Sequence, residues 1–221
     1  MLYNICYIFL LFIIYSFLGW IVEVIDSLIE DKKFVNRGFL IGPYCPIYGI
    51  GLLLIINFLK SYTDSYLIVF VMSMFICMIL EYFTSYIMEK LFNARWWDYS
   101  DKKFNINGRI CLETTIPFGL GGMAIMYIVN PFLEKTLNLL NSNVLISISI
   151  ILFSIFLIDL IISLIVILKV KDISIKKIKD NTEEINKKVK KYLIEKSVLS
   201  KRLIMSFPKL RLKFIQRKKK D

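Results

Sequence analysis

Glu81, Ser85 and Glu89 stand at i, i+4 and i+8, so a helix through them carries all three on one face. Thr84 and Met88 lie beside that face, and the run around it is otherwise apolar. Glu23, Glu113 and Asp159 share the setting, each within or near the end of a long apolar stretch. An ionisable group there costs a few kcal/mol or more if it meets lipid, so it faces a protein interior or a watery cavity. Arg37, Arg95 and Arg109 come from the segments between apolar runs and are the natural counter-charges. Three roles suit such a set. It binds a substrate or a proton, it fixes the fold by locking helix register, or it forms the interface with a partner protein.

Other chemistry is thinly supplied. The chain has no histidine and four cysteines, Cys6, Cys45, Cys77 and Cys111, with no CxxC pair among them. The usual zinc spacings and the Ser–His and Cys–His nucleophile pairs are therefore missing, and no metal or cofactor is implied. The cysteines read as small buried hydrophobes.

The elements that must position the acids are long apolar helices. Of 221 residues 57% are hydrophobic, and the mean hydropathy is +0.61. Runs of 18 or more apolar residues cross a hydrocarbon core about 30 Å thick. Five spans are expected, at about Leu2 to Ile25, Pro43 to Leu59, Tyr66 to Met88, Ile110 to Phe132 and Val144 to Leu168. The first lacks the basic start and small-residue cleavage site of a signal peptide and reads as a retained helix. The fourth contains Pro117, Gly119, Gly121 and Gly122 and is expected to bend or break. The predicted class is an all-α polytopic membrane bundle over residues 1–169, followed by a basic helical tail over residues 170–221.

The charge pattern orients this bundle. The net charge is +11, and residues 170–221 hold 18 Lys and Arg against 6 Asp and Glu. Lys32, Lys33 and Arg37 lie in one loop, and Lys90, Arg95, Lys102, Lys103 and Arg109 in another. The two alternate loops carry only Lys60, at an edge, and Lys135. Basic loops stay in the cytosol, so the N-terminus is expected outside and the C-terminus inside a cell membrane. All four span acids then fall toward the cytoplasmic side, with Glu81 and Asp159 each about 22 Å along their helices. In the tail, Ile178, Thr182, Ile185, Val189, Tyr192 and Lys196 form a weak stripe at helical spacing, and Pro208 ends it. The tail reads as a solvated segment, as a helix on anionic lipid, or as a helix docking a partner. Nucleic acid is not an expected partner.

Two loops are denser than linkers. Asn36 to Gly49 holds Gly38, Gly42, Pro43 and Pro46. The second holds Ala94-Arg95-Trp96-Trp97-Asp98-Tyr99-Ser100 and then Asn105 to Arg109. Trp96, Trp97 and Tyr99 suit a headgroup-level aromatic belt, while Arg95 and Asp98 suit a hydrogen-bonded cap over the bundle. Gly38 to Gly49 of the first loop and Ala94 to Ser100, Phe104-Asn105 and Asn107-Gly108-Arg109 of the second, together with Gly19-Trp20, Glu23, Glu81-Tyr82, Thr84-Ser85, Glu89-Lys90-Leu91-Phe92 and Glu113, resemble the bacterial CmpB-like permeases, an ABC-transporter type IV family. The resemblance covers roughly residues 10 to 125, and its most specific part is the Arg95 to Tyr99 block.

The resemblance implies a permease subunit. The sequence has no G-x-x-x-x-G-K-[ST] segment, so an ABC-type role requires a separate ATPase docking on the cytoplasmic loops. Five helices are few for a pore, so transport would need a homo-oligomer or other subunits. Two rival readings remain. One is a membrane-embedded enzyme acting on a lipid, with Glu81, Glu113 or Glu23 as acid or base and Arg95 or Arg109 holding an anionic headgroup. The other is a regulatory or scaffold protein working through its tail.

Overall fold

A computed structural model describes residues 1–30, 32–177, 183–207 and 210–212. The architecture is an all-α bundle, and the strands are two-residue pairings. Helix α1 spans Leu2–Glu30, α2 Pro46–Leu59, α3 Tyr66–Phe92, α4 Leu112–Ala124, α5 Asn130–Leu137, α6 Ser142–Lys177, α7 Glu183–Lys196 and α8 Val198–Ser206. A 3-10 turn, Lys60–Tyr62, extends α2, and a π-helical turn, Ile125–Val129, joins α4 to α5.

Four helical stretches are long and apolar enough to cross a membrane: Leu2–Ile29, Tyr66–Phe92, Leu112–Leu137 and Ser142–Lys171. The second expected span is the short one. Its apolar helix, Pro46–Tyr62, rises about 27 Å with its 3-10 end included. Proline at the first helical position starts α2, and Asn93, in the left-handed region at φ 52°, ends α3. Pro117 and the glycines of α4 do not break it. The irregular turn falls later, at Ile125–Val129, where a wider helical turn precedes Asn130.

Small residues bring the helices together. A Cβ on Gly19 would stand 2.2 Å from Tyr48 Cγ, and one on Gly122 would stand 2.3 Å from Ser73 Oγ. These close approaches join α1 to α2 and α3 to α4, as small residues do where lipid supplies no hydrophobic drive. Outward-facing side chains such as Phe75, Ile79 and Phe83 on α3 and Ile151, Ile155 and Ile158 on α6 are exposed. They form an apolar belt of the kind lipid covers.

Residues 32–45, residues 93–111 and the tail meet at one end, here called the loop end, where Phe39 and Trp96 lie with ring centroids 5.7 Å apart. The opposite end holds the turn at Thr63, whose carbonyl accepts from the Tyr127 hydroxyl at 2.9 Å. Two buried clusters line that opposite half. Tyr15 and Leu145 belong to one, and Ile55 and Met126 to the other. The third core lies at the loop end. It packs Trp96 and Ala94 with Ile167 and Val170 of α6 and with Val189, Leu193, Leu203 and Ile204 of the tail helices. The tail is thus joined to the bundle, with a strand pair, Ala94–Arg95 against Arg211–Leu212, beside it. Of the stripe read in the tail, Val189 is buried, whereas Ile178, Thr182 and Pro208 lie outside the described residues.

Candidate functional site

Helix α3 presents Glu81, Ser85 and Glu89 on one face, and all three are buried, as helical spacing requires. They then serve different neighbours. Arg109, from the loop before α4, closes on Glu89 at 2.7 Å and donates to Ser85 Oγ at 3.0 Å. Its guanidinium also lies over the Tyr82 and Tyr86 rings, 5.8 and 5.5 Å from their centroids. A planar cation that takes a carboxylate and an aromatic face at once is held in one orientation. Trp97 Nε1 donates to the Arg109 carbonyl at 3.0 Å, so Trp97 braces the same strut.

One turn deeper, Glu81 has a different environment. Its Oε1 accepts from the Tyr99 hydroxyl at 3.4 Å, and its buried Oε2 has no hydrogen-bond partner among the described residues. Glu23 of α1 lies within electrostatic reach of both Glu81 and Tyr99. The Tyr48 hydroxyl of α2 donates to Glu23 Oε1 at 2.7 Å, and Arg37 approaches Oε2 at 3.9 Å. Two carboxylates and two phenols from α1, α2, α3 and the loop therefore converge. Burial, then the Glu81 charge, push the Tyr99 phenol well above its ordinary range. Tyr99 therefore stays a donor.

The loop above is a built cap. Arg95 pairs with Asp98 at 3.5 Å and donates to the Asn107 carbonyl. Asp98 Oδ1 accepts from Ser100 N at 3.1 Å and Ser100 Oγ at 2.6 Å. Gly108, at φ 61°, passes so close that an added Cβ would lie 2.6 Å from Asp98 Oδ1. Only glycine fits this approach and this backbone angle together. Trp96 is fully buried beneath the tail, which places it inside the protein and away from a headgroup belt.

Asp159 takes a separate post. Its carboxylate accepts from Ile41 N at 2.9 Å, Gly42 N at 2.6 Å, the Tyr44 hydroxyl at 2.7 Å and Ser163 Oγ at 2.9 Å. It anchors the glycine-rich loop that leads into α2. Glu113 stands apart from all of these. It pairs with Lys102 at 3.0 Å, and its side chain is 64% exposed.

The expected residues therefore divide. Glu23 and Glu81 lie within electrostatic reach of each other, Arg109 joins Ser85 and Glu89, Arg95 joins Asp98, and Asp159 and Glu113 point elsewhere. Sequence reasoning passed over Tyr48, and it took Tyr99 only for a belt or cap residue. The signal was available, because a tyrosine hydroxyl in an apolar segment requires a partner. It passed over Arg202 as well, one cation among 18 in the tail, and nothing in the pattern singles it out.

No group of three or more metal-binding side chains occurs among the described residues. No curated protein and no solved structure matches the chain. A family model described as "Putative ABC-transporter type IV" matches residues 10–164, which reaches beyond the resemblance read in the sequence and takes in Asp159 and Ser163. The match holds every helix that frames the acid site and leaves out the tail. With most of its length covered by that match, the chain belongs to this ABC-transporter-type family of membrane proteins.

Proposed function

We propose that the chain is a permease-like subunit of a transport system in the cell membrane, with its loop end in the cytosol and its ATPase on a separate chain. Substrate engages at the Glu23, Tyr48, Glu81 and Tyr99 group. The observation that carries this reading is the convergence of two carboxylates from different helices inside apolar segments, one of them with an oxygen lacking any donor among the described residues. A fold-fixing ion pair would give Glu81 a cation, as Arg109 serves Glu89. A polar or cationic solute arriving from the loop end suits the open oxygen better.

The positive balance of the loops at this end supports a cytosolic face. The expected sockets for an ATPase are narrowed by the tail, because Leu40 and Trp96 are buried. What stays exposed is Phe34 on the first loop, and Phe104 and Ile106 beside Lys102 and Lys103 on the second. Apolar side chains rimmed by charge suit docking of a protein subunit. The lipid-enzyme reading has less support, since Arg95 and Arg109 are engaged by Asp98 and Glu89. Anionic lipid remains the expected neighbour of the basic tail. Purification from native membranes in mild detergent tests the proposal. A stoichiometric P-loop ATPase should accompany the chain and be lost with a Phe104→Asp, Ile106→Asp variant. A monodisperse chain with no nucleotide-hydrolysing companion would sink it.

A further inference from the structure

The loop between α1 and α2 is gripped from two sides by opposite charges. Asp159 takes its amide hydrogens at Ile41 and Gly42. Arg202 of α8 supplies the other half. Its guanidinium donates to the carbonyls of Gly38 (3.0 Å), Phe39 (3.5 Å) and Leu40. Ser206, one turn on, donates to the Asn36 carbonyl at 2.6 Å. The peptide groups of one short segment thus lie between a carboxylate from the bundle and a cation from the tail, and each sits against the dipole end it favours. Asp159 and Arg202 are within electrostatic reach of each other.

The segment held this way leads directly into the acid site. Cys45 N donates to the Ser16 carbonyl of α1 at 2.9 Å, and α2 begins at the next residue. Three residues further, Tyr48 meets Glu23. We propose that Arg202 is a positioning residue through which the docked tail orders residues 36–45, and so sets the Tyr48–Glu23 contact. The tail then conditions the site rather than trailing from it. Undocking of α8 leaves three carbonyls without their donor and releases the loop that carries α2 into register. The consequence for Glu23 rests on the functional reading above, but the ordering of the loop does not.

Cys45 reports that ordering. It is 6% exposed, and its thiol donates to the Arg37 carbonyl at 3.7 Å. In the full chain, with Cys6, Cys77 and Cys111 replaced by alanine, the rate of N-ethylmaleimide addition to Cys45 measures how often the loop opens. Arg202→Gln should raise that rate at least about tenfold, equivalent to about 1.4 kcal/mol of lost closure. Arg202→Lys should fall between the two, because one ammonium cannot span three carbonyls as a guanidinium does. Glu81→Gln should leave the rate at the parent value, which separates loop ordering from the acid site itself. If Arg202→Gln aggregates, Arg202→Lys carries the test alone. Labelling at the parental rate in every Arg202 variant that remains monodisperse overturns the proposal, whatever the fate of the transport reading.

Discussion

Replacing Asp159 by alanine removes the acceptor of four hydrogen bonds at once, and two of the donors are backbone amides of the loop. Ile41 N and Gly42 N lie 2.9 and 2.6 Å from its two oxygens. A buried donor left without an acceptor costs about 1–3 kcal/mol. Both residues are only half-buried, so water takes over part of the loss. We therefore expect about 2–3 kcal/mol for the pair, at the low end of that range. At about 1.4 kcal/mol per factor of ten, amide protection at Ile41 and Gly42 should fall by about 30- to 150-fold. The assay is hydrogen–deuterium exchange on the full chain in lipid nanodiscs. Asp159→Asn keeps one acceptor oxygen and turns its own amide toward the second N–H, so its loss should be intermediate. Ser163→Ala gives the control. It removes one 2.9 Å bond to the same carboxylate and no loop contact, so loop protection should stay within about fivefold. Equal exchange in Asp159→Ala and Ser163→Ala would refute the assignment of Asp159 as the loop's anchor.

Three further outcomes are expected. Arg109→Leu should lower stability by about 3–5 kcal/mol by stripping Glu89 of its buried counter-charge, and joint Glu89→Leu, Arg109→Leu should recover much of it. Thermal unfolding in detergent reads both, and additive losses would contradict the strut. Gly19→Ala should cost about 1–3 kcal/mol, because its Cβ meets Tyr48. Gly121→Ala, with nothing within 4 Å, should be neutral or mildly stabilising by the same measurement, and the reverse ranking would count against the packing described. In cells lacking their own copy, Glu81→Gln should impair complementation more than Ser85→Ala, and wild-type growth with both would reduce the acid face to a folding feature.

The apolar runs made most of the bundle legible. Tyr66 was placed correctly as the start of α3, and α1 begins at Leu2 as read. Helix α2 ends at Leu59 as expected, whereas the other four far ends lie beyond the expected spans, because hydropathy falls before the helix does. Helix α6 continues through Lys171 on helical hydrogen bonds that need no apolar side chain. The bend or break expected from Pro117 and the glycines does not occur in α4, where Gly119 and Gly122 pack tightly on α3, and the irregular turn begins only at Ile125, about two turns past Pro117. The shared face of Glu81, Ser85 and Glu89 followed from helical spacing alone. What spacing could not show is which residue from a distant segment meets each acid. Arg109 and Tyr99 are ten residues apart, yet one turns to Glu89 and the other to Glu81, because the tight turn at Gly108 folds the loop back on itself. The docking of the tail was illegible for the same reason. Arg202 differs from its basic neighbours only in what it touches.

The side of the membrane on which the loop end lies is settled most directly by single-cysteine labelling in intact cells. In a background free of Cys6, Cys45, Cys77 and Cys111, Lys103→Cys at the exposed second loop and Ser61→Cys at the opposite end are treated with a membrane-impermeant maleimide. The account predicts that the cysteine at 61 reacts at once and the one at 103 reacts only after permeabilisation. Immediate reaction at 103, with protection at 61, would contradict it and put the acid site on the wrong side for a cytosolic ATPase.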